Sequence, residues 1–129
     1  MAMCTLNKLK GIILNMKKKK IKINLDGFDV IIEKKKFLSN KIKTSIRNVK
    51  LDMIETVSRD EFHNQLNDIT IFLKDNKEFM LLNTEVPNLE ELYNYLLENA
   101  NNYNYAIALI DIETLNTQII ATTQSINNK

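Results

Sequence analysis

"ITIFLKDNKEFMLLNTEVPNLEELYNYLL", residues 69–97, changes its apolar period halfway along, and that change decides the fold class. Ile69, Ile71 and Leu73 recur at every second position, as one face of a β-strand does. Asp75 and Asn76 both tolerate the left-handed backbone region, so they can close a tight turn. Phe79 and Leu81 resume the alternation on a return strand. Beyond Pro87, which discourages a strand from continuing, the spacing becomes helical. Leu89, Leu92 and Leu96 share one face, with Tyr93, Leu97 and Ala100 beside it. Asn88, followed three residues later by Glu91, fits a capping box. The Asn-rich "NANNYN" ends the helix.

Outward toward the N-terminus, "IKINLDGFDVIIE" (21–33) reads as a hairpin. Ile21, Ile23 and Leu25 alternate before Asp26-Gly27, and Phe28, Val30 and Ile32 alternate after it. Asp-Gly supplies the backbone freedom of a two-residue hairpin turn. The second strand runs on through "EKKKF" to a turn at Ser39-Asn40. "KIKTSIRNVKLDMIETV" (41–57) shifts its apolar spacing near Ile46, which predicts a break or bulge there between two strands. "SRDEFHNQLND" (58–68) shows no alternation and reads as a loop. After the helix, Tyr105 to Ile112 is strongly β-like, and Gln118 to Thr123 forms a second candidate strand beyond the turn-like "ETLNT".

The expected architecture is therefore mainly β or α+β. A strongly bent antiparallel sheet is capped by one helix at about 87–100 and followed by an extra β-like C-terminal segment. At 129 residues the chain suits one domain. Residues 1–15 read as an accessory extension or an edge strand, and 16–129 as the globular domain, because "MKKKKIKINL" from Met16 looks like a natural start.

This order of elements resembles the pleckstrin-homology-like fold, particularly its small bacterial versions. The resemblance covers about residues 10–100 and rests on "DITIFLKDNKEFMLLNTEVPNLEELYNYL", which looks like a last hairpin leading into a capping helix. Counting 10–15 as a strand gives the seven strands usual in that family. The resemblance implies a module that binds phosphoinositides, peptides or other proteins. Where this chain departs is its end, since roughly 29 residues follow the helix in a family that normally stops there. The competing architecture is another α+β sandwich with the helix laid across a sheet face.

Catalytic chemistry finds little to work with. His63 is the only histidine, and Cys4 the only cysteine, which excludes an internal disulfide and allows a reducing compartment. Gly11 and Gly27 are the only glycines, too few for a phosphate-cradling loop. Glu90 and Glu91 complement the start of a helix, and Asp111 and Glu113 flank a strand residue. Tyr93, Tyr95, Tyr103 and Tyr105 read as packing residues with wet tips. No enzyme activity, cofactor or metal is expected. A cytoplasmic setting is the expectation, and the Asn-, Lys- and Ile-rich composition suggests an AT-rich bacterial genome.

Charge is the feature with functional content. Residues 1–50 hold 14 Lys/Arg against 3 Asp/Glu, and residues 51–129 hold 4 against 13, giving +11 and −9. A split of that size points to an anionic partner for the basic half. The candidate binding residues are Lys17, Lys18, Lys19, Lys20, Lys34, Lys35, Lys36, Lys41, Lys43 and Arg47. A turn at Asp26-Gly27 sets Lys20 opposite Glu33 and Lys17–Lys19 opposite Lys34–Lys36, with Lys18 and Lys35 on the solvent face. The bland reading is a solvated face whose lysines guard sheet edges against pairing. The expected function is a non-enzymatic binding module, with a protein partner favoured over anionic lipid or nucleic acid. The alternatives are an antagonist or immunity-type inhibitor acting through the acidic half and a nucleic-acid binder using the lysines. Scarce arginine weakens the last.

Overall fold

A computed structural model describes residues 15–36 and 42–121. Three antiparallel strands form the first sheet in the order β1-β2-β3: β1 (Asn15–Ile23), β2 (Gly27–Lys36) and β3 (Ile42–Lys50). A 3-10 turn (Leu51–Met53) leads into β4 (Ile54–Phe62), β5 (Gln65–Leu73) and β6 (Glu78–Leu82). Helix α1 (Leu89–Tyr103) follows, then β7 (Ala106–Asp111) and β8 (Thr117–Ala121). The second sheet has the order β6-β5-β4-β7-β8. All its pairs are antiparallel except β4 with β7, which run parallel. A parallel pair needs a long crossover, and the path through β5, β6 and α1 supplies it. The segment after the helix thus extends the second sheet by two strands. The fold is mainly β with one long helix among the described residues.

The strands and helix of the opening stretch form where its spacing predicts. Ile69 pairs with Leu81 and Ile71 with Phe79, so the two alternating runs share a face. Asn76 takes the left-handed conformation at φ 66°. Leu89, Leu92, Leu96 and Ala100 turn inward from α1, onto Phe28, Val30 and Val49 of the first sheet and Ile54, Val57, Ile69, Ile71 and Ile107 of the second. Tyr105 closes this core, and its hydroxyl donates to the Leu96 carbonyl. Burying the phenol disfavours its anion, so its pKa is raised.

Four local expectations are corrected. First, 58–68 is not a loop. It is the β4–β5 hairpin, closed by His63 and Asn64 at φ 52° and 62°. Two consecutive positive φ angles make the turn that matches strand twist, and His and Asn are among the non-glycine residues that accept them. Second, the strand break falls at Leu51–Met53, not near Ile46. β3 is exposed everywhere but at Val49, so its apolar spacing does not report the core. Third, the first hairpin turns at Leu25-Asp26, with the Asn24 N–H donating to the Gly27 carbonyl at 2.8 Å. Gly27 belongs to β2, where any Cβ would strike the Val49 carbonyl oxygen. Fourth, the Asn88 side chain does not cap α1. Its amide donates instead to the Ile21 carbonyl at 3.0 Å and ties the helix start to β1.

Candidate functional site

The two charge blocks of the sequence become two layers. The first sheet carries most of the basic residues, while the second sheet and α1 carry most of the acidic ones. Among the described residues a single ion pair joins the layers, Lys19 to Glu85 at 3.6 Å. Among the described residues the halves are therefore not paired off charge for charge across the core.

Strand alternation sorts the basic residues onto two faces. Ile21, Phe28 and Val30 point into the core. Lys18, Lys20 and Lys22 therefore line the outer face of β1, and all three are exposed. Lys35 joins them from β2, and Lys18, Glu33, Lys35 and Ile42 border one cavity of about 260 Å³. Lys18 and Lys35 share the solvent face, as the alternation predicts. Their register is corrected, because the true turn lies one residue earlier. Lys20 faces Ile31, Lys18 faces Glu33, and Lys17 faces Lys34. Carboxylates temper this outer face. Lys20 lies 3.9 Å from Glu33. The Asn48 amide, 2.7 Å away, holds Asp29 below the usual carboxylate range.

The inner face changes character along its length. Its cross-strand rows run from Ile23–Phe28–Val49 through Ile21–Val30–Arg47 to Lys19–Ile32–Ser45 and then Lys34–Lys43. Core gives way to cations. Lys19 is buried and tied to Glu85, so it is removed from any free binding surface. Arg47 stacks 4.8 Å above the Phe79 ring. Lys34 and Lys43 pair directly and are exposed. The side chains of Lys17 and Lys36, and the whole of Lys41, lie outside the described residues. The described candidates are thus split between two faces of one sheet.

Sequence reasoning missed Lys22, although the every-second-residue spacing of Lys18, Lys20 and Lys22 marks one face. It also missed the buried Arg59, which no apolar pattern reveals. The Arg59 guanidinium makes two hydrogen bonds to Glu90, at 2.8 and 3.0 Å, and one to Glu61 at 2.9 Å. It also lies 4.4 Å from the Tyr93 ring. His63 stands 3.2 Å from Glu113 at an exposed hairpin tip. Among the described residues no group of three or more His, Cys, Asp or Glu side chains is gathered to hold a metal, and no helix is long and apolar enough to cross a membrane.

No family model matches this chain, and neither a curated protein nor a solved structure does.

Proposed function

We propose that this protein is a non-enzymatic binding module whose basic sheet engages an acidic partner protein. The observation that carries this reading is the segregation of charge into two layers joined by one ion pair among the described residues. Keeping like charges together costs stability across strands, and a bound polyanion offsets that cost. The two-sheet arrangement is compatible with a pleckstrin-homology-like sandwich, a scaffold that suits peptide and protein binding. A bacterial cytoplasmic setting belongs to the same reading and accords with the single cysteine.

Labelled poly-glutamate tests it by fluorescence anisotropy at about 0.05 M and about 0.5 M salt. Binding at low salt that vanishes at high salt is expected. Reversing Lys18 and Lys35 together to Glu should weaken it while leaving the melting temperature nearly unchanged, because exposed charges contribute little to stability. Absence of binding by the wild type at low salt overturns the proposal. Equal or tighter retention of nucleic acid or anionic vesicles assigns the lysines to those ligands instead.

A further inference from the structure

The sandwich has an open seam. β3 ends the first sheet and β6 ends the second, and among the described residues neither has a strand on its other side. A cavity of about 410 Å³ lies between them. Three consecutive residues of β3 (Ser45, Ile46, Arg47) and three of β6 (Phe79, Met80, Leu81) border it. Consecutive strand residues point to opposite faces, so a space that touches all of them meets each strand along its edge. Val30, Ile32 and Leu81 make part of its lining apolar, and Lys19, tied to Glu85, borders it as well.

β3 is the more available of the two edges. It has nine residues, and only Val49 is buried. Ile42 and Ile46 are 56% and 66% exposed, so much of their outer face is open to solvent. On the inner face the same strand carries Lys43 and Arg47, four residues apart. Among the described residues neither has a carboxylate within ion-pair reach; Arg47 rests on the Phe79 ring. A strand edge unpaired among the described residues, two cations and a partly apolar cavity thus lie side by side.

We propose that the free edge of β3 accepts an extended acidic segment of a partner protein as a fourth strand of the first sheet. Backbone pairing to β3 supplies sequence-independent affinity. On the inner face, carboxylates at positions i and i+4 of the segment sit opposite Arg47 and Lys43. The residue between them drops an apolar side chain toward Ile32 and Phe79. On the outer face, β-branched residues pack beside Ile42 and Ile46. The same cations that protect a bare edge against neutral or basic strands select an acidic one. A second copy of this chain is a poor occupant, since its β3 carries Lys43, Arg47 and Lys50 of its own. This inference rests on the reading of the basic sheet as a partner-binding surface.

A fluorescein-labelled synthetic peptide, with glutamates at i and i+4 and valines or threonines elsewhere, serves as the probe. Wild-type protein should bind it, and the Lys43→Glu, Arg47→Glu double variant should lose about tenfold or more in affinity. The milder Lys43→Gln, Arg47→Gln pair guards against misfolding and should show a smaller loss at an unchanged melting temperature. The Lys18→Glu, Lys35→Glu variant, altered on the opposite face, should lose clearly less affinity for this peptide than the Lys43→Glu, Arg47→Glu variant does, because its charges lie further from the added strand. Methylating alternate backbone nitrogens of the peptide should abolish binding. Equal binding by the methylated peptide overturns strand addition. Loss with Lys18/Lys35 reversal but not with Lys43/Arg47 reversal overturns the β3 site and leaves the basic-sheet reading standing. No binding of either this peptide or poly-glutamate overturns both.

Discussion

Asp60 on β4 lies directly opposite Asp68 on β5, so two carboxylates share one cross-strand position on the outer face of the second sheet. Asp68 is 5% exposed, and its Oδ1 has no hydrogen-bond partner. The outer oxygens are spoken for: Ser58 donates to Asp60 at 3.1 Å, and the Asn67 amide to Asp68 at 2.7 Å. Burial and the neighbouring Asp68 charge push the Asp60 pKa up from its ordinary value. Among the described residues no basic group pairs with either carboxylate within 4.0 Å.

The sign of the pH effect follows. A carboxyl whose folded pKa is raised favours the folded state while protonated, and that contribution is lost as pH rises through the raised pKa. At neutral pH the pair therefore opposes folding. Asp60→Asn keeps an acceptor for Ser58 and brings an N–H toward the unpartnered Asp68 oxygen. The variant should be more stable than wild type at pH 7 by about 0.2–1 kcal/mol, the range for relieving like charges across strands. Urea melts at pH 4 and pH 7 check it: the advantage should shrink at the lower pH. A variant less stable than wild type at pH 7 would falsify the argument.

Glu90 pulls the pH dependence the other way. The hydrogen bonds from Arg59 hold its carboxyl below the ordinary value. A depressed carboxylate pKa gives stability that is present above the ordinary value of 4.5 and lost as pH falls through the depressed one. Glu90→Gln should therefore flatten the acid limb of the stability curve. Glu90 is more than half exposed, so the effect is modest. Arg59→Met reaches further, because it strands Glu61 and strips the cation from the Tyr93 face. A loss of about 1–3 kcal/mol is expected at pH 7. Chemical denaturation of both variants separates the two effects, and an Arg59→Met protein as stable as wild type would remove Arg59 from the structural account.

Gly27 and Leu115 make opposite predictions about glycine. Gly27 has no positive φ, yet a methyl group there meets the Val49 carbonyl and comes within 3.1 Å of the Lys50 Cα. Gly27→Ala should cost about 1–3 kcal/mol, as overpacking does. Leu115 sits at φ 61° and is 75% exposed. Leu115→Gly removes a left-handed penalty of about 1–2 kcal/mol and loses almost no burial, although glycine's freedom in the unfolded chain offsets part of that gain. The net expectation is a rise of a few degrees in melting temperature. Thermal melts of both variants test the pair, and a lower melting temperature for Leu115→Gly would show that its side chain has a packing role.

Much of this protein was legible in the residues alone. The alternation of Ile69, Ile71, Phe79 and Leu81, followed by helical spacing from Leu89, fixed a hairpin and a helix. Period reports which side of an element is buried, and here both elements bury one side. The helix end at Asn104 followed from composition. The segregation of charge was visible too, since the basic half of the chain is also one sheet. Local pattern failed wherever the partner of a residue lay far along the chain. The β4–β5 hairpin was hidden because Arg59 and Glu61 occupy its inner face, and they are tolerated there only through Glu90 and Tyr93 on α1. Asn88 looked like a cap until β1 offered it the Ile21 carbonyl.

The candidate site divides the same way. That lysines crowd the first sheet is a property of the sequence. Which of them are free is not. The hairpin register depends on where the turn closes, and a one-residue shift of the turn moves every cross-strand partner by two. Lys19 was withdrawn by Glu85, a residue 66 positions away that the fold carries to the edge of β1. Arg47 acquired its place beside a cavity only because the fold brings β3 and β6 to its two sides. Side-chain type and spacing are written in the chain; the burial that turns a charge into a structural tie, and the gap that leaves another charge available, arise only when the two sheets pack.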